Sequence, residues 1–376
     1  MRILHVVSTA KRRGAEIFAA DLVRLLAGAG VAQRVAVLVA SAPFDVQYGG
    51  YVSVLSEETG GHRLGWLRRV VALRRQVSAW RPDVVFAHGG DALKHSVAAD
   101  PRGRVPLVYR NIGMAGGSIT RGARRRLYST LMCRADKVVA VADVVARQTV
   151  VTFRVSPASV VTMPNGVDGD RLMPVHEREA VRREIGVPAG APVVLSVGAL
   201  SWEKDPLEQV ELAARLLVVQ PECVFVLVGD GPLRPDVEAM VCRRGLEGRV
   251  LLLGSRGDVA DLLGAGDVLV LTSRSDGMEG MPASVIEAGL AGLPVVAYRV
   301  AGLGEVVDDG VTGLLVPPGD MAALVDATRC LVADGRLRAQ FGRRARIHCM
   351  ERFELHEQLP RYLELCTEVA GKTRSC

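Results

Sequence analysis

The chain has 376 residues, 49% of them hydrophobic and 23% charged, which excludes a disordered or fibrous chain and leaves apolar surface for more than one core. Aromatic residues make up only 4%, so those cores must be built from Val, Leu, Ala and Ile. The net charge of +6 fits a phosphorylated substrate, an anionic membrane or a solvated surface; basic residues without interleaved aromatics argue against a nucleic-acid partner.

In chain order, Arg2–Val7 reads as a strand followed by a helix from about Ala15 to Leu26. Arg34–Val39, Val84–Ala87, Pro106–Tyr109, Lys137–Val141 and Val160–Met163 are further strands with helical stretches between several of them. Pro164-Asn165-Gly166-Val167-Asp168 is turn chemistry, and the pattern then restarts. Strands are expected at Val193–Val197, Val224–Val228, Val250–Leu253, Val268–Thr272 and Pro294–Ala297, with a helix from about Pro206. Alternating strand and helix imply parallel sheets, so the fold class is α/β with two doubly wound Rossmann-like domains facing a cleft. The expected division is 1–168, 169–352 and a helical tail 353–376 packing back on the first domain.

Seven scattered cysteines, odd in number and without a CxxC pair, suggest reduced thiols rather than a disulfide frame or a zinc site. The start, MRILHVVSTAKRR, lacks the length and charge order of a signal peptide, and no run of about 18 uncharged apolar residues could span a membrane. The expected location is therefore cytoplasmic. Arg121–Arg134, which holds Arg124-Arg125-Arg126 among Leu127, Tyr128, Leu131 and Met132, leaves two readings open. One is a solvated face; the other is peripheral contact with an anionic membrane at its inner face.

The stretch Asp276–Ala297 carries the most chemistry. Pro282 suits the first turn of a helix, and Pro282–Ala291 is apolar except for Ser284 and Glu287. A carboxylate on such a face costs several kcal/mol unless something donates to it, at least roughly. Either a neighbouring arginine or the paired hydroxyls of a ribose would serve. Glu279 stands just ahead of the helix beside Gly280 and Met281, where backbone N–H groups and the helix start favour an oxygen-rich ligand. Gly-containing loops follow the first strand of each half, Ser8–Glu16 and Ser196–Pro206. Of 47 basic residues only five are lysines, which singles out Lys204 in the second loop. Asp168-Gly169-Asp170 has the spacing of a metal–nucleotide pair but sits in a linker, so it is read as turn residues and no metal or cofactor is expected.

Glu279 and Glu287 with seven residues between them, then Ala288 and Gly292-Leu293-Pro294-Val295-Val296, resemble the signature of the retaining glycosyltransferases of family four, which have the GT-B fold. Gly14-Ala15-Glu16, Pro164–Asp168, Gly198 with Glu203-Lys204, Gly229–Leu233, and Gly302–Glu305 followed by Gly310–Val316 are similar to that family in the same order. The resemblance implies a nucleoside-diphosphate sugar donor in the second half and a hydroxyl acceptor on a sugar, lipid-linked sugar or small molecule. It implies that Glu287 holds the ribose, and that Glu279 with Gly280, Met281 and Pro282 holds sugar hydroxyls. It further implies that Lys204 beside Gly198 neutralises the diphosphate and that Gly14 lets its loop close on the phosphates.

Two positions depart from the family pattern. An arginine commonly follows the glycine matched by Gly198, and here Ala199 stands there; Arg13 and Arg256 are candidate replacements. A histidine commonly follows an N-domain strand near the acceptor, and here that strand runs into Arg110-Asn111, leaving His88 as the nearest candidate catalytic imidazole. A nucleotide-sugar epimerase and a non-catalytic nucleotide-sugar-binding protein are the alternatives.

Overall fold

The computed structural model of the chain describes residues 1–40, 46–57, 62–300 and 302–371. It divides into two units, Met1–Gly166 with the segment from Leu355, and Val167–Glu354. The chain thus leaves the first unit at Gly166 and returns at Leu355; residues 372–376 of the expected tail lie outside the described residues.

The first unit has strands β1 (Arg2–Val7), β2 (Ala32–Val37), β3 (Tyr51–Val54), β4 (Val84–His88), β5 (Leu107–Asn111), β6 (Lys137–Ala140) and β7 (Val160–Thr162). Its helices are α1 (Gly14–Gly28), α2 (His62–Trp80), α3 (Gly90–Ala99), α4 (Gly122–Met132) and α5 (Asp143–Phe153). The sheet order is β3-β2-β1-β4-β5-β6-β7, every pair parallel. Strands buried on both faces explain the near-continuous Val, Leu and Ile runs. On one face α2, α3 and α4 deliver Val70, Leu73, Leu93, Leu131 and Met132 to a core with Val85 and Tyr109. Strand β3 has no counterpart in the sequence reading, because its four exposed or half-exposed residues at the sheet edge show neither burial nor alternation.

The second unit has β8 (Val193–Val197), β9 (Val224–Val228), β10 (Val250–Gly254), β11 (Val268–Leu271), β12 (Val295–Tyr298) and β13 (Gly313–Val316). Its helices are α6 (Arg178–Glu184), α7 (Pro206–Val219), α8 (Arg234–Arg243), α9 (Val259–Ala265), α10 (Ala283–Leu290), α11 (Leu303–Val306), α12 (Met321–Ala333) and α13 (Gly335–Phe353). The order is β10-β9-β8-β11-β12-β13, again parallel. The strand order reverses between β1 and β4 and between β8 and β11, the places where open parallel sheets bind ligands.

The last helix, α14 (Leu355–Ala370), belongs to the first unit. Its Leu355, Tyr362, Leu365, Cys366 and Val369 pack with Phe18, Leu22 and Phe86, on the opposite face of that sheet from α2. Gly166 is required at the end of the turn, since a Cβ there would lie 2.5 Å from Leu355 Cδ1. Asp168 and Asp170 form a turn as read: Asp168 Oδ1 accepts from Asp170 N at 3.0 Å and caps the short 3-10 helix Gly169–Leu172. In the arginine-rich stretch 121–134, α4 turns Leu131 and Met132 into the core and leaves Leu127 exposed among its arginines.

Candidate active site

In the second unit the loops after β8 and β11 are held together at the switch point. Thr272 Oγ1 donates to the carbonyls of Lys204 and Asp205, each at 3.0 Å, and Arg274 N donates to the Glu203 carbonyl at 3.0 Å. The β8 loop closes with a 3-10 turn at Trp202–Lys204, and Asp205, in the left-handed region, hands over to Pro206 at the start of α7. The next loop demands glycine. A Cβ on Gly229, whose φ is +139, would lie 1.8 Å from the Gly198 carbonyl, and one on Gly231 would lie 2.4 Å from that of Leu200. Leu200 N donates to the Asp230 carbonyl at 3.0 Å, so the Gly198–Leu200 backbone is clamped from this side.

These loops bring Lys204 and Glu279 together. Lys204 Nζ donates to Glu279 Oε2 at 2.5 Å, and Ser273 Oγ donates to the same oxygen at 2.8 Å. The side chains are only 17% and 12% exposed, so the pair is protected from screening. An ammonium has three donors, and Glu279 takes one of them. Among the described residues no donor reaches Glu279 Oε1. Gly198 borders the Lys204 side chain, whose Cε would make an ordinary 3.8 Å contact with a Cβ there.

Glu287 lies on the buried face of α10, and a protein partner answers its charge. Arg171 Nη2 donates to Oε1 at 2.6 Å, with Glu287 9% and Arg171 22% exposed. The neighbouring-arginine reading therefore holds for Oε1; among the described residues no donor reaches Oε2. Pro282 is the residue that precedes α10 rather than its first helical residue, and its carbonyl still accepts from Val285 N. Gly280 and Met281 are buried in the approach to the helix, the Gly280 carbonyl accepting from Gly302 N at 3.0 Å.

The replacements considered for the missing arginine fare poorly in this unit. Arg256 is held by Asp258 at 2.6 Å and Glu184 at 2.8 Å, and these carboxylates raise its pKa. Arg274, beside the site, is bound to Asp205 and Asp276 and stacks 4.8 Å above the Trp202 ring.

In the first unit, Gly14 is exposed and opens α1 directly after Arg13. Glu16, one turn in, is buried and accepts from Thr9 Oγ1 at 3.1 Å; burial raises its pKa. His88 is not the open imidazole that its strand-end position suggests. It is buried, stacked 4.7 Å from Phe86 and 5.4 Å from His5, and burial with the nearby His5 and Arg110 holds its pKa well below the usual value. A chain of bonds sets its tautomer. Gln33 Nε2 donates to the Val23 carbonyl at 2.7 Å, so Gln33 Oε1 must accept, at 3.0 Å, from His5 Nε2. Burial lowers the His5 pKa to about 4, so the ring is neutral and its Nδ1 can only accept, at 3.1 Å, from His88 Nε2. His88 Nδ1 is left as a buried acceptor.

Arg110 and Asn111 are likewise turned inward. The Arg110 guanidinium lies 3.6 Å over the Phe18 ring and donates to Asn165 Oδ1, and burial lowers its pKa to about 10, still charged at neutral pH. Asn111 Nδ2 donates to Thr149 Oγ1 at 3.1 Å, while its Oδ1 accepts from the Tyr109 hydroxyl at 3.3 Å. Both polar atoms of Asn111 are thus bonded inside the unit, and its side chain is buried. Reading the sequence missed Ser273, Arg171, His5 and Gln33; none belongs to a spaced motif, and only proximity in the fold reveals them.

Two Rossmann-like parallel-sheet units, the second with a lysine–carboxylate pair at its switch point, define the GT-B class of glycosyltransferases. The chain belongs to glycosyltransferase family 4, as its matches to known proteins show. Residues 12–171 match the sequence model of Glycosyltransferase Family 4 and residues 177–348 that of Glycosyl transferases group 1. The 2-deoxystreptamine N-acetyl-D-glucosaminyltransferase of Streptomyces fradiae is 33% identical over 308 residues, 74% of this chain and 70% of that protein. The D-inositol 3-phosphate glycosyltransferase of Saccharomonospora viridis is 31% identical, over 78% of this chain and 71% of that protein. Among solved structures, HepE of Anabaena in complex with UDP and glucose matches with a TM-score of 0.86 and 25% identity, covering 98% of this chain and 100% of that one. The protein is a glycosyltransferase that draws on nucleotide-sugar donors.

Proposed function

We propose that the protein is a retaining hexosyltransferase that moves a sugar from a uridine-diphosphate sugar to a hydroxyl of a polyhydroxylated acceptor, without a metal ion. The observation that carries this reading is Lys204 and Ser273 converging on one oxygen of Glu279, with Glu287 eight residues further on. In this reading Glu287 Oε2 accepts from a ribose hydroxyl while Arg171 keeps Oε1. Glu279 Oε1 accepts from sugar hydroxyls, the backbone of Gly280–Pro282 lies against the sugar, and the remaining Lys204 donors face the diphosphate beside Gly198.

The bond from the anomeric carbon to the β-phosphate oxygen breaks, and the acceptor oxygen bonds to that carbon on the same face. The acceptor proton passes to the departing phosphate oxygen. Lys204 offsets the charge that develops there and favours the transition state over the bound donor. Glu279 makes a poor nucleophile, because its Oε2 charge is already balanced by a cation and a hydroxyl. Buried His88 sits in this scheme as a structural group rather than a base.

The acceptor class is open between a small polyol and a lipid-linked sugar. The Streptomyces fradiae relative is named for 2-deoxystreptamine, and an Escherichia coli relative, 28% identical, for a GlcNAc-diphosphoundecaprenol. Six free cysteines among the described residues, three of them buried, fit a reducing cytoplasm. Neither an epimerase nor a non-catalytic binder is favoured, given the family and the intact Glu279, Glu287 and Lys204. The test is calorimetric titration with UDP and GDP, followed by NMR of the product's anomeric configuration. Inversion at the anomeric carbon would overturn the retaining scheme, and preference for GDP would overturn the donor assignment.

A further inference from the structure

Helix α2 carries an exposed feature that the reaction does not use. Leu64, Leu67 and Val71 stand at i, i+3 and i+7, on one stripe of the helix, and are 71%, 54% and 41% exposed. Single exposed aliphatic residues are ordinary, but three in one row are a continuous ridge. The inward face of the same helix is accounted for, since Val70 and Leu73 are buried in the core of the first unit. Arg68 and Arg75 flank the ridge on one side and Arg74 on the other, all three exposed. The helix His62–Trp80 contains no acidic residue. In the same layer, α4 packs into the same core and exposes Arg124 and Arg126, and it too lacks acidic residues.

We propose that α2 is a peripheral docking helix for an anionic lipid bilayer. The aliphatic ridge enters the boundary between headgroups and acyl chains, while the arginines on its flanks pair with lipid phosphates. The charge pattern selects this occupant over the others. A second copy of the chain laid ridge to ridge would bring Arg68, Arg74 and Arg75 against like charges. A nucleic acid would find no aromatic residue in the ridge itself, because Trp66, 39% exposed, stands off that stripe of the helix. Three aliphatic side chains are too few for permanent insertion, so the contact is reversible and depends on the anionic lipid. The inference does not depend on the reaction scheme, because vesicle binding and sugar transfer are measured separately.

The test is flotation of the purified full chain with vesicles of phosphatidylcholine alone and of phosphatidylcholine mixed with phosphatidylglycerol. Binding to the mixed vesicles only, weakened by added salt, is expected. Leu64→Ser with Leu67→Ser and Val71→Ser should abolish it, and Arg68→Glu with Arg75→Glu should lower partitioning by roughly tenfold or more. These positions are exposed, so circular dichroism and the melting temperature should match the parent. Equal binding to both vesicle types, no binding to either, or a dimer in sedimentation equilibrium that the serine variant dissociates would each overturn the proposal.

Discussion

The pairing of Glu287 with Arg171 separates two roles that one substitution would confuse. Arg171→Ala leaves a carboxylate 9% exposed without its cation. Breaking a buried pair costs roughly 3–5 kcal/mol, and the lower end applies because water reaches the space left by a side chain 22% exposed. For a unit of this size that is a fall of about 6–12 °C in its melting temperature. Glu287→Ala strands the less buried partner and should cost less, about 1–2 kcal/mol. Donor binding should rank the two variants the other way. Loss of a charged acceptor to the ribose is worth about 1.5–3 kcal/mol, or roughly 10- to 100-fold in affinity for UDP. Arg171→Ala keeps that acceptor and should lose less. The assay is differential scanning fluorimetry beside calorimetric titration with UDP, with the double variant closing the cycle. If Glu287→Ala binds UDP as the parent does, the carboxylate is there for Arg171 alone and the ribose role fails.

Further outcomes follow from the same geometry. Lys204→Ala and Lys204→Gln should each lower kcat by roughly 10²-fold or more, read by steady-state kinetics, since shape without charge cannot face the diphosphate; near-parent turnover in both would move that task to an arginine elsewhere, Arg13 first. Arg256→Ala should leave kcat/KM within about twofold, because its guanidinium is already committed to Glu184 and Asp258. Turnover should survive EDTA, and loss restored by Mg²⁺ would bring Asp168 and Asp170 back into the chemistry. His5 and His88 bind fewer protons folded than unfolded, so stability is full above about pH 6.5 and is lost as pH falls towards 4, on the order of 3 kcal/mol for His5 alone. Glu16, raised by burial, works in the opposite sense, and His5→Gln should flatten the slope of melting temperature against pH.

What could be read in the sequence was what lies close along it. The strands Arg2–Val7, Val193–Val197 and Val224–Val228 keep the bounds expected of them, because each is a run of buried residues stopped by turn residues. A carboxylate at position 287 on an apolar helix face signalled that a donor had to be near. Which donor it was could not be read, since Arg171 lies 116 positions away and meets it only through the folded turn Gly169–Leu172. The burial of His88 and Asn111 could not be read for a related reason. The end of a strand marks the edge where ligands bind, but whether a side chain there faces that edge depends on the elements covering both faces of the sheet. Here α1 and α14 supply Phe18 and Tyr362, and the rings enclose His88 and Arg110. The arginines of α4 drew attention for their density, yet the exposed apolar ridge is on α2, where arginines alternate with aliphatic residues that only the fold shows to be unpartnered by the core.

Ala199 bears on how the site has to work. In the proposed scheme, without the arginine that commonly stands there, Lys204 carries the diphosphate-facing charge of the β8 loop, while Arg274 and Arg256 are both committed to carboxylates. Lys204 is also tied to Glu279, so the pair is nearly neutral as a unit, which favours a weakly held donor. The same tie fixes both side chains before the donor arrives. Ser273 and the Thr272 bonds to the Lys204 and Asp205 carbonyls hold the loop under the pair. As the glycosidic bond breaks, charge moves towards the phosphate, and a preorganised ammonium meets it without rearranging. In the proposed scheme a second cation facing the same charge would stabilise the transition state more than the bound donor, so its absence at Ala199 leaves that differential stabilisation to the preorganised Lys204.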